Sequence, residues 1–474
     1  MRHGRDQIFG RDYERCLKSL DWAIAQLGGN ADSEQLAITA ELIIQTMSGP
    51  WRYFHTSEHI FEVGGSDDAI EILAALFHDL VYVQVDQGVS VNISRRIAPF
   101  VKEIDGELVI LGHSQLLPDR MFDMVTQIFG FVLEQTLQPA AGQNEFLSAV
   151  IGAKCLEHAL PMSVIAEVVA CIEATIPFRS KSETGQTAGE RLRDRLLTTN
   201  EEFGFGWSED DLHVIVRRAV RLANRDVENF AYISSAEFLD NTWNLMPETN
   251  HDLISANSYT VSGYRLSLQK MEGFMYFLKP EVVFQRYLDE PDLPTHKSAI
   301  SRTQKNLEVA RLYLGSKLLS IAVIEALSQR LGQDIPLATM MGELPGRGLS
   351  TAQLENFLPT VADPVMPTTP LEQEVLELLE KGRSKSSSYD VKNSPVATYM
   401  IKSLGFSESQ RLLGYAKEYF KPKLADKSKS SGLSGEEFLS HCDRTVVKGI
   451  VQAVLKVFER RIAAIGNFNA SVKI

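Results

Sequence analysis

The spacing of apolar residues restricts the fold more than any other feature of this chain. From Asp12 to Met47 they recur at helical intervals (Leu17, Leu20, Ala23, Ile24, Leu27, then Leu36, Leu42, Ile43, Met47), with Gly28-Gly29-Asn30 breaking the pattern between two helices. The same spacing predicts helices over 69–82, 90–101, 121–137, 144–159, 163–176, 208–231, 235–244, 263–277 and 301–332. Past residue 370 it returns over 371–380, 395–404, 407–419 and 434–465. No convincing set of alternating strands accompanies them, so the expected class is all-α.

With 474 residues the chain is too long for one ordinary core. The best boundary is the stretch 334–370, which holds Pro336, Pro345, Pro359, Pro364, Pro367 and Pro370. The expected division is a helical domain over 1–240, a helical extension packing on it over 241–333, a Pro/Gly-rich linker over 334–370 and a basic helical domain over 371–474. Two lysine- and serine-rich tracts, around 381–388 and 421–435, read as mobile.

The net charge of −13 argues against a general grip on nucleic acid. The charge is uneven, however. Residues 381–474 hold 17 Lys and Arg against 8 Asp and Glu, a net +9, which leaves −22 on residues 1–380. The basic end would suit an acidic partner, the chain's own acidic part or a membrane surface, and is otherwise a solvated surface. No apolar run reaches the length of a membrane span. The charged start, Met1-Arg-His-Gly-Arg-Asp, has no apolar core behind it, so no signal peptide is expected. Four singly scattered cysteines (Cys16, Cys155, Cys171, Cys442) argue against a disulfide framework and suit a reducing cytoplasm. A homo-oligomer is compatible with the sequence.

The chemistry concentrates between Trp51 and Tyr82. Three of the ten histidines lie there, and His78 is followed directly by Asp79 inside the apolar run Ala74-Ala-Leu-Phe-His-Asp-Leu-Val-Tyr82. A carboxylate beside an imidazole is expensive to bury without a partner, and a divalent cation is one such partner. Thr56 or Ser57 reads as the N-cap of a helix carrying His59. Two antiparallel helices can bring His59, His78 and Asp79 to one point. That set offers two imidazoles and one carboxylate, and an octahedral site for Mn²⁺, Mg²⁺ or Fe²⁺ needs at least one more oxygen ligand. Zn²⁺ is also compatible with the donors.

At this point the residues carry a resemblance. His59…His78-Asp79 resembles the signature of the HD superfamily of metal-dependent phosphohydrolases. Arg52-Tyr-Phe-His55-Thr-Ser-Glu-His59-Ile and Ala74–Tyr82 are closer still to members with an Arg-x-Tyr-His-x-x-x-His-Ile opening and an Ala-Ala-x-Phe-His-Asp-x-Val-Tyr second motif. The opening is also similar to the Tyr-His-Asn-x-x-His of cyclic-nucleotide phosphodiesterases. The resemblance covers about residues 1–240 and implies an HD-type helical bundle. It implies a metal-activated water cleaving a phosphoester of a nucleotide-like small molecule. His59, His78 and Asp79 would be ligands, and His55 would protonate the leaving group, a hydrogen bond to the end of its helix being its other reading. Arg52 would hold a substrate phosphate, a structural salt bridge being the other reading. The family places its last ligand on a downstream helix. Asp226 in Ala219-Val-Arg-Leu-Ala-Asn-Arg-Asp226 is the first choice and Asp240 the second. Arg225 would then point elsewhere, to an acid or a phosphate.

Some features depart from the family pattern. Close relatives follow the second motif with an Asn-Glu pair, whereas here the following loop runs Asp86-Gln-Gly-Val-Ser-Val-Asn92, and Asn92 is the candidate to stand in as a substrate contact. The Glu-Asp pair of (p)ppGpp hydrolases and the extra histidines of cyclic-dinucleotide phosphodiesterases are absent. So are a P-loop, a dinucleotide fingerprint, Gly-x-Ser-x-Gly and Cys-x-x-Cys. The expected activity is therefore a metal-dependent phosphohydrolase or phosphodiesterase. The alternative is a catalytically inactive HD-like regulatory or scaffold protein acting through its basic C-terminal part.

Overall fold

The computed structural model describes residues 2–253, 259–332, 334–342, 353–385, 387, 389–390, 392–421 and 432–471. These residues are overwhelmingly helical, as the apolar spacing requires. They divide into two compact units, the first comprising 1–231 and 278–303 and the second 232–277 and 304–474. Among the described residues no helix is long and apolar enough to cross a membrane.

In the first unit the order is α1 (Arg2–Gln26), α2 (Ser33–Met47), α3 (Ser57–Gly64), α4 (Ala69–His78), α5 (Val83–Asp86), α6 (Val91–Ile97), a hairpin of β1 (Val101–Ile104) and β2 (Glu107–Ile110), α7 (Arg120–Phe129), α8 (Gln143–Leu156), α9 (Met162–Ala174), α10 (Ala188–Phe203) and α11 (Glu209–Asp226). Every residue of α4 is buried, which is the signature of a helix enclosed on all sides. Helices α1, α3, α8 and α9 pack around it, and α11 lies on α9. Side-chain caps set the starts: Asp32 for α2, Asp68 for α4, Asp119 for α7, and reciprocal capping boxes at Thr187–Glu190 and Ser208–Asp211 for α10 and α11.

The structure corrects several boundaries. Helix α4 ends at His78, with Asp79 as its C-cap, and does not run to Tyr82. Helix α7 ends at Phe129 because Gly130 takes a left-handed conformation (φ 69°). The helix expected over 90–101 stops at Ile97, and Val101–Ile104 pairs antiparallel with Glu107–Ile110. The hairpin turn is Asp105-Gly106, both at positive φ (53° and 83°), a turn for which Asp-Gly is the preferred sequence. The division into units also differs from the one expected. Residues 278–303 return to the first unit, where Asn224 on α11 exchanges two hydrogen bonds with the backbone of Gln285 and His213 bonds the Tyr287 hydroxyl at 2.7 Å.

The second unit contains α12 (Ser235–Trp243), α13 (Leu245–Thr249), α14 (Val261–Phe277), most of α15 (Leu293–Arg330), α16 (Leu337–Met341), α17 (Pro370–Lys381), α18 (Pro395–Tyr419), α19 (Gly435–His441) and α20 (Arg444–Ser471). Helix α18 breaks at Gly405 (φ 77°), between the two helices that the spacing predicts. The tract around 381–388, expected to be mobile, is anchored by its neighbours. Arg383 is 2% exposed with its guanidinium 4.0 Å from the Trp243 ring, and Asp390 accepts hydrogen bonds from Trp243, Tyr264 and Lys317. Ser386 and Ser388, and most of the second tract, 422–431, lie outside the described residues. The proline-rich stretch is not a bare linker either. Leu337, Met340 and Leu354 are buried, while 343–352 lie outside the described residues.

Candidate metal centre

The ends of three helices meet at one point in the first unit. His59 comes from the first turn of α3, whose N-cap is Thr56. His78 and Asp79 come from the last residue and C-cap of α4, and Asp226 from the last residue of α11. One ligand atom from each of the four lies within 4.8 Å of all the others. His59 Nε2 is 3.1 Å from Asp226 Oδ1 and 3.4 Å from Asp79 Oδ2. His78 Nε2 is 3.0 Å from Asp79 Oδ2 and 3.4 Å from Asp226 Oδ1.

The alignment of these atoms matters as much as their closeness. His78 Nε2 and Asp79 Oδ2 are both buried, and neither makes a hydrogen bond despite the 3.0 Å separation. The other ring nitrogen, His78 Nδ1, lies 2.8 Å from the Ala75 carbonyl, which can only accept. That bond fixes the tautomer, so neutral His78 presents a lone pair at Nε2 to the centre. Two imidazoles and two carboxylates aimed at a common point, with orphaned buried atoms among them, fit a divalent cation.

The electrostatics make the same demand for positive charge. Burial disfavours the imidazolium of His59, but the bond to Asp226 and the charges of Asp226 and Asp79 outweigh it and raise its pKa to about 9. Burial also opposes the charged form of His78, and the charge of Asp79 and contact with Asp226 carry its pKa well above the usual value. Burial alone would raise both carboxyls. The charges of His78 and His55 with contacts from both candidate ligand imidazoles hold Asp79 far below its usual value, and the bond from His59 with the nearby charge of His78 brings Asp226 to about 2.

The structure distributes the other sequence candidates differently. His55 stands beside the centre: its ring is 4.6 Å from Tyr82 and 5.8 Å from His59. Arg52, expected at a substrate phosphate, is buried in a bidentate pair with Asp86 (2.9 and 2.6 Å) and donates to the Asp79 carbonyl at 2.9 Å. It pairs with Asp86 and holds the backbone of Asp79, one of the four converging residues. Arg225, also named for substrate, pairs instead with buried Glu71 of α4 and donates to the carbonyls of Val63 and Gly64 at the end of α3. One guanidinium thus joins the three helices that carry the ligand atoms. Asn92 is exposed, 3.5 Å from Gln45, in a surface cleft of about 440 Å³ whose lining includes none of the four ligand residues. Asp240, the second choice for last ligand, is held in the second unit by Arg383 and the backbone of Lys385.

Sequence reasoning missed one acidic residue. Glu145, in the first turn of α8, has a buried Oε2 with no partner. Burial pushes its pKa to about 7, and the charges of Asp79 and Asp226 add to the rise, while its own backbone N–H and His78 oppose it. Its neighbour Asn144 accepts from the Val83 backbone at 3.2 Å and donates to Gln84 at 2.9 Å, and Ser148 accepts from Val81 at 2.9 Å. Together they hold the chain just past Asp79 against α8. The available signal was an Asn-Glu pair, Asn144-Glu145, sixty-five positions beyond Asp79, where the hairpin and α7 intervene. In comparisons with known proteins, the chain matches no family model, no curated protein and no solved structure.

Proposed function

We propose that this chain is a metal-dependent phosphohydrolase that cleaves a phosphoester of a nucleotide-like small molecule. The observation that carries the reading is the convergence of His59, His78, Asp79 and Asp226, with His78 Nε2 and Asp79 Oδ2 buried and lacking hydrogen bonds. These four residues would hold a divalent cation of the Mn²⁺, Mg²⁺ or Fe²⁺ kind, with Zn²⁺ also within the donor chemistry. Such a cation supplies Lewis acidity and lowers the pKa of water.

The chain's own residues perform the remaining tasks. His55 protonates the leaving oxygen, a role suited to an imidazole beside the centre. Arg52 and Arg225 do not touch substrate in this reading. They fix Asp79 and the three ligand helices, so that the ligand atoms need no reorganisation on binding. The resemblance of the two histidine motifs to HD phosphohydrolases supports the reaction class, and the nucleotide-like substrate rests on that resemblance alone.

The test is a panel of phosphomonoesters, cyclic nucleotides and nucleotides, assayed with Mn²⁺, Mg²⁺ and Fe²⁺ against wild type and a His78→Ala/Asp79→Ala variant. Turnover by wild type that the double variant loses is the expected result. Metal binding without any turnover would support the inactive regulatory alternative, and no metal binding would overturn the reading altogether.

A further inference from the structure

The four ligand residues account for neither the position nor the surroundings of Glu145. A carboxylate in the first turn of a helix is ordinarily a solvated group favoured by the helix dipole. Glu145 instead has a buried Oε2 with no hydrogen-bond partner, an arrangement that costs free energy unless a ligand completes it. Its position is set by geometry. Asn144 and Ser148, on either side of it along α8, bond the backbone at Val83 and Val81, so α8 is registered against the residues that follow Asp79. The charges of Asp79 and Asp226 act against the ionised carboxylate, and that of His78 acts for it.

We propose that Glu145 is a fifth residue of the centre, whose carboxylate accepts a hydrogen bond from water admitted beside the cation and takes up that water's proton during hydrolysis. The proposal rests on the metal-centre reading. The proton balance is complete. The O–H bond of the water breaks as its oxygen bonds to phosphorus, and the proton passes to Glu145 Oε2. The P–O bond to the leaving group breaks, and His55 protonates the leaving oxygen. Exchange with solvent then restores both residues.

The experiment compares full-length wild type, Glu145→Gln and Asp79→Asn by calorimetric titration with Mn²⁺, by melting of the chelated proteins and by turnover of any phosphoester that wild type hydrolyses. Glu145→Gln is expected to bind Mn²⁺ about tenfold more weakly, as for partners of ligand shells, whereas Asp79→Asn loses measurable binding. Chelated Glu145→Gln should melt at or above wild type, because the amide removes like-charge repulsion. Its kcat should fall at least about 100-fold with KM little changed. Unchanged Mn²⁺ affinity, or a chelated melting point several degrees below wild type, overturns the assignment, the latter by showing a structural role. Retained kcat overturns the proton role. If wild type binds no Mn²⁺, the metal-centre reading falls and this inference with it. If wild type binds Mn²⁺ but hydrolyses nothing, the hydrolase reading and the proton role fall, and the affinity arm still decides whether Glu145 belongs to the centre.

Discussion

His78 Nδ1 donates to the carbonyl oxygen of Ala75, three residues earlier in the chain, at 2.8 Å. This bond commits Nε2 to the centre and decides where a proton sits when no cation is present. In the metal-free protein both ligand imidazoles have raised pKa values, His59 to about 9. A cation must therefore displace their protons. Mn²⁺ binding at pH 7.5 should release at least about one proton per site, that of His59, measured by calorimetry in buffers of different ionisation enthalpy. Release near zero would contradict the protonated metal-free state.

Stability of the chelated protein should follow the same pair of groups. His59 is raised from 6.5 to about 9, so its contribution is full below pH 6.5 and disappears as pH rises to 9. Asp226 is lowered from 3.8 to about 2, so its contribution is full above pH 3.8 and disappears as pH falls to 2. From these two groups, chelated protein should be most stable between about pH 4 and 6.5. Its melting point should fall from pH 6.5 to 9, with a shallower slope in His59→Gln. A melting point that rises over that interval would be the wrong sign.

Arg225 separates a positioning role from a substrate role. Replacing it by Met leaves Glu71, which is 2% exposed, with Arg221 as its remaining ion-pair partner. Removing one partner of a buried pair costs about 3 kcal/mol. Arg225→Met should lower both the denaturation midpoint and Mn²⁺ affinity. A substrate contact would raise KM and leave both unchanged.

Arg52→Ala should likewise destabilise by about 3 kcal/mol, because it strips Asp86 of a bidentate partner and frees the Asp79 carbonyl. Denaturant titration checks the magnitude. Full stability with weakened phosphoester binding would restore the phosphate-contact role.

The two candidate last ligands make opposite predictions. Asp226→Asn should lose metal affinity. Asp240→Asn should keep it and lower stability, since Asp240 is an ion-pair partner of buried Arg383. Calorimetric titration of both variants decides between them.

Much of the bundle could be read from periodicity because a helix that buries one face must repeat its apolar residues every three or four positions. Helix ends were harder to place. Asp79 as a C-cap and the stop at Gly130 depend on single backbone conformations that leave the apolar pattern intact. The Asp105-Gly106 turn was readable in principle, but strands of four residues are too short to show alternation. Helix α10 escaped because its polar face dominates its composition and its start depends on the Thr187–Glu190 box.

For the candidate centre, sequence by itself named three of the four residues that converge, His59, His78 and Asp79, since an acid beside an imidazole in an apolar run restricts what can surround them. Only the tertiary structure decided the rest. It brought Asp226, and not Asp240, to the ligand atoms. It paired Arg52 with Asp86 and Arg225 with Glu71, and put Asn92 in a surface cleft lined by none of the four. It also buried Glu145 Oε2 without a partner on α8, beside residues that bond the chain just past Asp79. The physical reason is that a side chain's role depends on what meets its charge in space. That is set by the packing of α3, α4, α8 and α11, over separations that no local pattern spans.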